Sequence, residues 1–228
     1  MATAVLIGEQ IEIPAISHGL SEFRRWATSD EFPEAGRIDF IAGRIEVDMS
    51  PEDLHTHGIP KTELVVVIGS RVRQRGLGEL YTDRARVACP PTDLSVEPDI
   101  VFVSNEALDE GRVRLVPKST GATDRYIELE GPPDLIVEIV SDSSVRKDTE
   151  RLPERYCIAG VREYWLVDAR GRDLIFHIHR HGESAYEPAP RDDELFQYSA
   201  VLDSWYRLDR TRNRHGRLQY TLQEKASA

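Results

Sequence analysis

The sequence predicts an α/β fold, in the α+β sense of a mixed central sheet flanked by helices, and three observations carry that prediction. Short alternating or apolar runs bounded by turn residues read as strands, and longer runs with apolar residues at helical spacing read as helices. The two kinds interleave in a mixed order with no repeat. At 228 residues the chain is long enough to bury a sizeable core as one domain with a small appendage.

The elements follow in order. "SHGLSEFRRWATS" (17–29) sets Leu20, Phe23 and Ala27 at helical spacing after Ser17, a candidate cap. "RIDFIAGRIEVDMSP" alternates through Ile38 and Phe40, turns near Ala42 and Gly43, alternates again through Ile45 and Val47, and stops at Pro51, as a hairpin does. "KTELVVVIGSRVRQRG" (61–76) places Leu64, Val65, Ile68 and Val72 on one helix face and ends in basic residues before Gly76. "GELYTDRARVACP" and "SVEPDIVFVSN" read as two strands, the second opening on Pro98, where a missing N–H is tolerated. Residues 111–131 read as an inserted surface hairpin around a Ser-Thr-Gly-Ala turn. A strand at 134–141 follows. "SVRKDTERLPERYCIAGV" (144–161) is then a helix with Ser144 near its cap, Leu152, Tyr156 and Ala159 inward, Gly160 at its end and Pro153 expected to kink it. "REYWLVDARGRDLIFHIHRHG" supplies two more strands. The main domain is expected over 17–190, with 191–228 a C-terminal extension packed on it or trailing from it.

Composition narrows the function. Apolar content of 40% and charge of 30% are ordinary for a soluble globular chain. The net charge of −11, from 29 basic and 40 acidic residues, argues against tight non-specific binding of a polyanion by the whole surface. Locally the balance reverses: Arg207, Arg210, Arg212, Arg214 and Arg217 stand against only Asp203 and Asp209, as a phosphate patch or a solvated ribbon. Cys89 and Cys157 show no CxxC spacing, so neither a disulfide framework nor a thiolate zinc site is supported, and a reducing compartment is expected. The N-terminal stretch lacks a basic n-region, and the longest apolar run, "LVVVIG", is too short to span a bilayer. A cytoplasmic chain with no membrane partner is expected.

One residue demands a chemical explanation. Glu138 interrupts the apolar run "LIVEIV", and a charged carboxylate inside a buried strand costs several kcal/mol unless it is paired or bound to a cation. In an extended strand Asp134, Ile136, Glu138 and Val140 share one face, and Leu135, Val137 and Ile139 the other. "EPDIVFVS" repeats the local pattern of "PPDLIVEIVS", which implies that Asp99 lies beside this strand. Asp99 and Glu138 together would repel unless they share a proton or a divalent ion, and hard oxygen ligands suit Mg²⁺ or Mn²⁺. The bland alternatives are that Asp99 caps its strand and that Glu138 pairs with an arginine of the following helix.

"EPDIVFVS", "PPDLIVEIVSDSS" and "KDTERLPERYCIAGVREYWLVDARG" resemble, in order and spacing, the Uma-two endonuclease family, a branch of the PD-(D/E)XK restriction-endonuclease-like superfamily. Gly43 followed by "MSP" (49–51), then His55 or His57 before a helix, extends the resemblance to roughly residues 17–180. It implies a restriction-endonuclease-like fold and an endonuclease acting on DNA with Mg²⁺ or Mn²⁺, with Asp99, Glu138 and the Ile139 carbonyl as metal ligands. A homodimer is expected from how such nucleases reach two strands.

The sequence departs from the pattern at the lysine. The superfamily position two residues after the second acid is Val140, and the alternative position four residues after Asp148 is Leu152. Lys147 is the nearest substitute, with Arg146, Arg151 and Arg155 as other cations within reach of a phosphate; a guanidinium stabilises an anion but does not readily act as a base. Glu63 and Glu46 are candidate extra acidic ligands, a solvated helix face being the favoured reading of Glu63. His57 is read as a contact to metal or phosphate, or as a helix cap. Two rivals remain: a decayed nuclease fold that binds nucleic acid or oligomerises, and a histidine-based metallohydrolase built on His177, His179 and His181.

Overall fold

The computed structural model describes residues 5–7, 11–14, 19–118 and 123–226. β1 (Val5–Ile7) and β2 (Ile11–Ile13) pair as an antiparallel ribbon. α1 (Leu20–Ala27) buries Leu20, Phe23 and Trp26; its expected cap, Ser17, lies outside the described residues. β3 (Arg37–Ile41) and β4 (Arg44–Asp48) form the expected hairpin. A π-helical turn at Leu54–Gly58 runs into α2 (Ile59–Arg75), which stops at Gly76 with φ 60°, a conformation glycine adopts without a Cβ clash.

Each of the next two runs, read from sequence as a single strand, is two. "GELYTDRARVACP" is β5 (Gly78–Thr82) and β6 (Arg86–Cys89), broken where Asp83 and Arg84 take φ of 39° and 61°. "SVEPDIVFVSN" is β7 (Leu94–Val96) and β8 (Ile100–Ser104), broken at Glu97, Pro98 and Asp99. Successive left-handed residues turn one chain out of its sheet, and Pro98 has no N–H to continue a ladder in the other. Both runs therefore bend at the same level and cross from one sheet to another.

α3 (Asn105–Asp109) is a short turn capped by the Ser104 hydroxyl, which accepts the Ala107 N–H at 3.1 Å. β9 (Arg114–Pro117) and β10 (Tyr126–Glu130) form the hairpin expected in 111–131, whose Ser-Thr-Gly-Ala turn lies outside the described residues. It is no free surface arm, because β10 pairs in parallel with β6 and buries Leu129. The chain then builds β11 (Leu135–Ile139), a second π-helical turn at Lys147–Arg151, α4 (Leu152–Ala159), β12 (Glu163–Asp168), β13 (Ile175–His181), β14 (Tyr186–Pro188), β15 (Gln197–Ser199), β16 (Ser204–Arg212) and β17 (Leu218–Ala226).

The expected α+β architecture thus contains two six-stranded sheets, β4-β3-β7-β6-β10-β9 and β14-β13-β12-β11-β8-β5, and a three-stranded sheet β15-β16-β17. Both large sheets are mixed, with β11 parallel to β12 and antiparallel to β8. The alternation read in 134–140 holds: Leu135, Val137 and Ile139 pack with Leu64, Ile68 and Val72 of α2 and with Tyr206, Leu208 and Leu222 of the C-terminal hairpin. On the opposite face, Ile136, Val101 and Tyr164 pack with Leu152 and Tyr156 of α4 and with Val87, Leu94 and Val96 of the other sheet. α1 closes the far side through Phe23, Trp26, Ile38 and Phe40. Trp165 is fully buried at the centre of the first core, where truncation to alanine costs about 3–5 kcal/mol.

Candidate active site

The carboxylates meet where the chain crosses between the two sheets. The antiparallel register Val137 to Ile100 carries on to place Asp99 opposite Glu138, and each side chain is 1% exposed. Asp99 Oδ2 accepts the Ile139 N–H at 2.8 Å, and Oδ1 accepts from Arg37 at 2.9 Å. The His57 ring Nε2 lies 3.3 Å from Oδ2, and Lys61 Nζ lies 3.7 Å from Oδ1. Burial by itself would raise this carboxyl, but the His57 ring and the Arg37 and Lys61 charges outweigh burial and hold it well below the usual range.

Glu138 experiences the opposite field. The Tyr156 hydroxyl donates to Oε1 at 2.7 Å, while Oε2 has no hydrogen-bond partner among the described residues. Burial first, then the charges of Asp148 and Asp99, push its carboxyl well above the ordinary value. Asp148 is 2% exposed; burial pushes it up to about 6 against the opposing Lys147 charge and Ser144 hydroxyl. Ser144 Oγ donates to Asp148 Oδ2, and Asp148 Oδ1 is left without a partner. Lys147 Nζ sits 3.1 Å from Asp39 Oδ2, and Asp39 Oδ1 accepts the Glu97 N–H at 3.0 Å.

Two proline-led helices deliver these groups by one device. In the first π-helical turn, Asp53 Oδ1 accepts the N–H groups of His55 and Thr56 at 2.8 and 2.7 Å, the Ile59 N–H reaches back to the Leu54 carbonyl, and Pro60 follows. In the second, the Leu152 N–H reaches back to the Lys147 carbonyl, and Pro153 follows. A proline lacks the N–H of a regular turn and crowds the carbonyl four residues back, and a widened turn relieves both. The kink expected at Pro153 takes this form. The first turn carries His57 and, just beyond it, Lys61; the second carries Lys147 and Asp148.

The remaining predicted residues separate into those at the rim and those elsewhere. Glu46 and Arg151 pair with each other beside the Lys147 side of the site. Arg146 pairs with Glu150 at 3.5 Å on an exposed face. Tyr156 faces Glu138, so Arg155, one residue earlier on α4, is turned about 100° away. Glu63 does not join the site: it accepts the Leu222 N–H at 2.9 Å on the opposite side of α2, because helical periodicity points it at β17. His55 is exposed and His57 is buried, which separates the two histidines left open by the sequence. Val140, fully buried with its N–H on the Val167 carbonyl, and Leu152, 1% exposed, are core residues, so neither lysine position is filled. Among the described residues, His177, His179 and His181 belong to no metal-capable group: His179 stacks on Tyr164, and His181 Nε2 lies 2.8 Å from the Cys157 carbonyl.

Four residues of the cluster went unread in the sequence: Arg37, Asp39, Glu52 and Lys61. Two carried a signal. Asp39 interrupts "RIDFI" just as Glu138 interrupts "LIVEI", and Lys61 places a cation near a helix N-terminus, against the helix dipole. Lys61 Nζ is held there at 2.8 Å by both Glu52 and Asp83. Arg37 and Glu52 carried none.

The group opens into a cleft of about 740 Å³ lined by Arg37, Asp48, Glu52, His57, Asp83 and Arg170, among others. Donor atoms of Glu52, His57 and Asp99 lie within 4.8 Å of one another. His57 Nδ1 is 3.3 Å from Glu52 Oε2 but lacks hydrogen-bond geometry. In an extended strand the N–H and C=O of one residue leave on the same edge, which puts the Ile139 carbonyl on the Asp99 side. The two carboxylates and one imidazole of Glu52, His57 and Asp99, with the unpartnered Oε2 of Glu138 across the strand pair from Asp99, fit a divalent cation of the Mg²⁺ or Mn²⁺ type.

The family model described as "Uma2: Putative restriction endonuclease" matches residues 20–210. The chain belongs to the Uma2 family. Among solved structures, this Uma2 chain is similar to one described as a "putative nuclease belonging to DUF820 from Anabaena variabilis ATCC 29413", with a TM-score of 0.59 and 20% identity over 81% of this chain and 90% of that one. At that identity the likeness shows the fold, a restriction-endonuclease-like mixed sheet with flanking helices. No curated protein matches the chain.

Proposed function

We propose that this Uma2 protein is a Mg²⁺- or Mn²⁺-dependent endonuclease that hydrolyses DNA phosphodiester bonds, working in the cytoplasm as a homodimer. The observation that carries the reading is the pairing of Asp99 with Glu138 at the sheet crossing, with one Glu138 oxygen unpartnered although buried. Asp99, Glu138 and the Ile139 carbonyl would hold the cation, with Glu52 and His57 on its open side. A divalent cation there supplies Lewis acidity and positive charge against the phosphate.

The chain's own groups do the rest. Arg37 lines the cleft, and its planar guanidinium suits a phosphate oxygen. Lys147 and Lys61 are raised above the ordinary lysine value, burial being outweighed chiefly by Asp39 for the first and Asp99 for the second. Both stay protonated at neutral pH and serve as fixed cations rather than bases. Lys147 is the group we assign to charge stabilisation in place of the missing lysine. No helix among the described residues is long and apolar enough to cross a membrane. Both cysteines are free, in keeping with a reducing compartment.

Burial of Val140 and Leu152 where lysines were expected favours a second reading, a nucleic-acid-binding protein on a decayed nuclease fold. Supercoiled plasmid incubated with Mn²⁺ separates the two. Nicking that falls by more than about 100-fold in Glu138→Ala, beyond the loss from disturbing a ligand's neighbour, supports the nuclease. No metal-dependent cleavage of plasmid, single-stranded DNA or RNA, together with no heat of Mn²⁺ binding, rules it out.

A further inference from the structure

We propose that the tip of the β16–β17 hairpin, together with the β12–β13 turn bonded to it, is a docking strip that holds the phosphate backbone of duplex DNA as it leaves the cleft. The strip begins with strand periodicity. On the inward face of β16, Ser204, Tyr206 and Leu208 are buried, and the next two positions on that face are Arg210 and Arg212, where the ribbon outruns the core. Arg210 is a structural tie: it donates to the carbonyls of Ala169 at 2.8 Å, Gly171 at 3.1 Å and Arg172. Those carbonyls belong to the turn between β12 and β13, whose Arg170 lines the cleft. The basic tip is thereby fastened to the mouth of the candidate active site.

Charge balance distinguishes the strip from the cleft, whose lining holds more acidic than basic residues. Arg37 and Arg170 in the cleft are neutralised, Arg37 by Asp99 and Arg170 by Asp168 and Asp142. Arg172, Arg212, Arg214 and Arg217 are exposed, and none pairs with a carboxylate among the described residues. Their turn is ordered: Asn213 Oδ1 accepts the N–H groups of His215 at 2.9 Å and Arg217 at 3.1 Å, and Arg212 donates to the Gly216 carbonyl at 2.6 Å. Guanidinium groups held on a rigid turn lose less freedom on meeting an anion than those on a loose tail.

The chemistry selects the partner. Residues 212–217, "RNRHGR", offer no aliphatic, Phe, Tyr or Trp anchor for a protein or a bilayer, whereas guanidinium forks match phosphate oxygens. Duplex DNA carries one charge per about 1.7 Å of axis, and on a chain of net charge −11 a strip of unpaired guanidinium groups is a local surface whose charge favours it. These contacts position the duplex without reading bases. The inference rests on the cleft being the substrate site.

The test uses the full chain, a fluorescein-labelled duplex followed by anisotropy over a KCl series, and the small diester bis(p-nitrophenyl) phosphate with Mn²⁺. In the triple variant Arg212→Ala, Arg214→Ala, Arg217→Ala, duplex affinity falls by at least about 10-fold at low salt, and the slope of log K against log [KCl] shrinks by about 2–3, near 0.9 per lost phosphate contact. The corresponding triple lysine variant keeps the slope, and the thermal midpoint of both variants matches wild type. Hydrolysis of the small diester, which does not extend from cleft to hairpin, is unchanged. An unaltered affinity and slope in the alanine variant overturns the strip, as does binding to anionic vesicles in preference to the duplex. Loss of slope while wild type shows no Mn²⁺-dependent cleavage of plasmid, single-stranded DNA or RNA and no heat of Mn²⁺ binding leaves the strip standing and removes the nuclease; such cleavage without loss of slope does the reverse.

Discussion

Asp99 and Glu138 face each other across one antiparallel strand pair, equally buried, yet their surroundings are opposite in sign. Asp99 lies among Arg37, His57 and Lys61, and stays ionised. Glu138 lies against Tyr156, Asp148 and Asp99, and is driven toward its protonated form. The difference comes from the crossing between sheets. The Asp99 side receives cations from β3 and α2, while the Glu138 side receives an acid from the turn before α4. One carboxylate is held ionised by its surroundings, and the other is pushed toward its neutral form.

The largest expected effect separates the two by neutralising each in turn. Asp99→Asn leaves three cationic or ionisable groups facing an amide and lowers unfolding stability by about 3 kcal/mol in urea titrations, the scale for breaking a buried ion pair. Glu138→Gln costs the metal-free fold nothing, because the glutamate is already disfavoured as an anion, but abolishes the heat of Mn²⁺ binding. Equal destabilisation by both substitutions would erase the contrast.

A smaller effect concerns pH. Asp148 ionises near 3.8 when unfolded and at about 6 when folded, so between those values the native chain binds the extra proton. Raising the pH through that window withdraws stability, and above it the loss is complete. Asp99 works in the opposite direction, its stabilising charge being lost as the pH falls, so the comparison must be wild type against Asp148→Asn. In chelator-containing buffer the variant gains on wild type from pH 4 to 6 and stays level beyond; a constant difference would place Asp148 outside the coupled group. The smallest effect is that of Tyr156→Phe, which removes the remaining hydrogen bond to Glu138 and lowers the thermal stability by about 1–2 kcal/mol, within the range for an unsatisfied buried group.

Much of the site was legible in particular residues. Glu138 announced itself because an apolar strand has no local use for a carboxylate, and the twin Pro-Asp runs correctly placed Asp99 beside it. Asp39 breaks "RIDFI" in the same way, but the alternation of a hairpin strand with one open face accounts for a polar residue there. The misreading of Glu63 has a plain physical origin: a helix residue is solvated or buried according to what packs on it, and the β16–β17 hairpin that packs on α2 comes some 160 residues later. Arg37 was invisible for a related reason, since nothing near it in the chain marks its distance from Asp99.

By itself, the sequence determined the apolar faces of α2, α4 and β11, the helix ends at Gly76 and Gly160, the pairing of the two Pro-Asp strands and the family resemblance, all of which follow from local sterics and from periodicities of a few residues. Only the tertiary structure decided that two runs bend at Asp83–Arg84 and Glu97–Asp99, that β3 arrives with Arg37 and Asp39, and that α2 turns Lys61 inward. Those outcomes depend on which sheets stack on which, a choice made by long-range burial. The ionisation of each carboxylate depends in turn on charges that this stacking brings within a few ångströms.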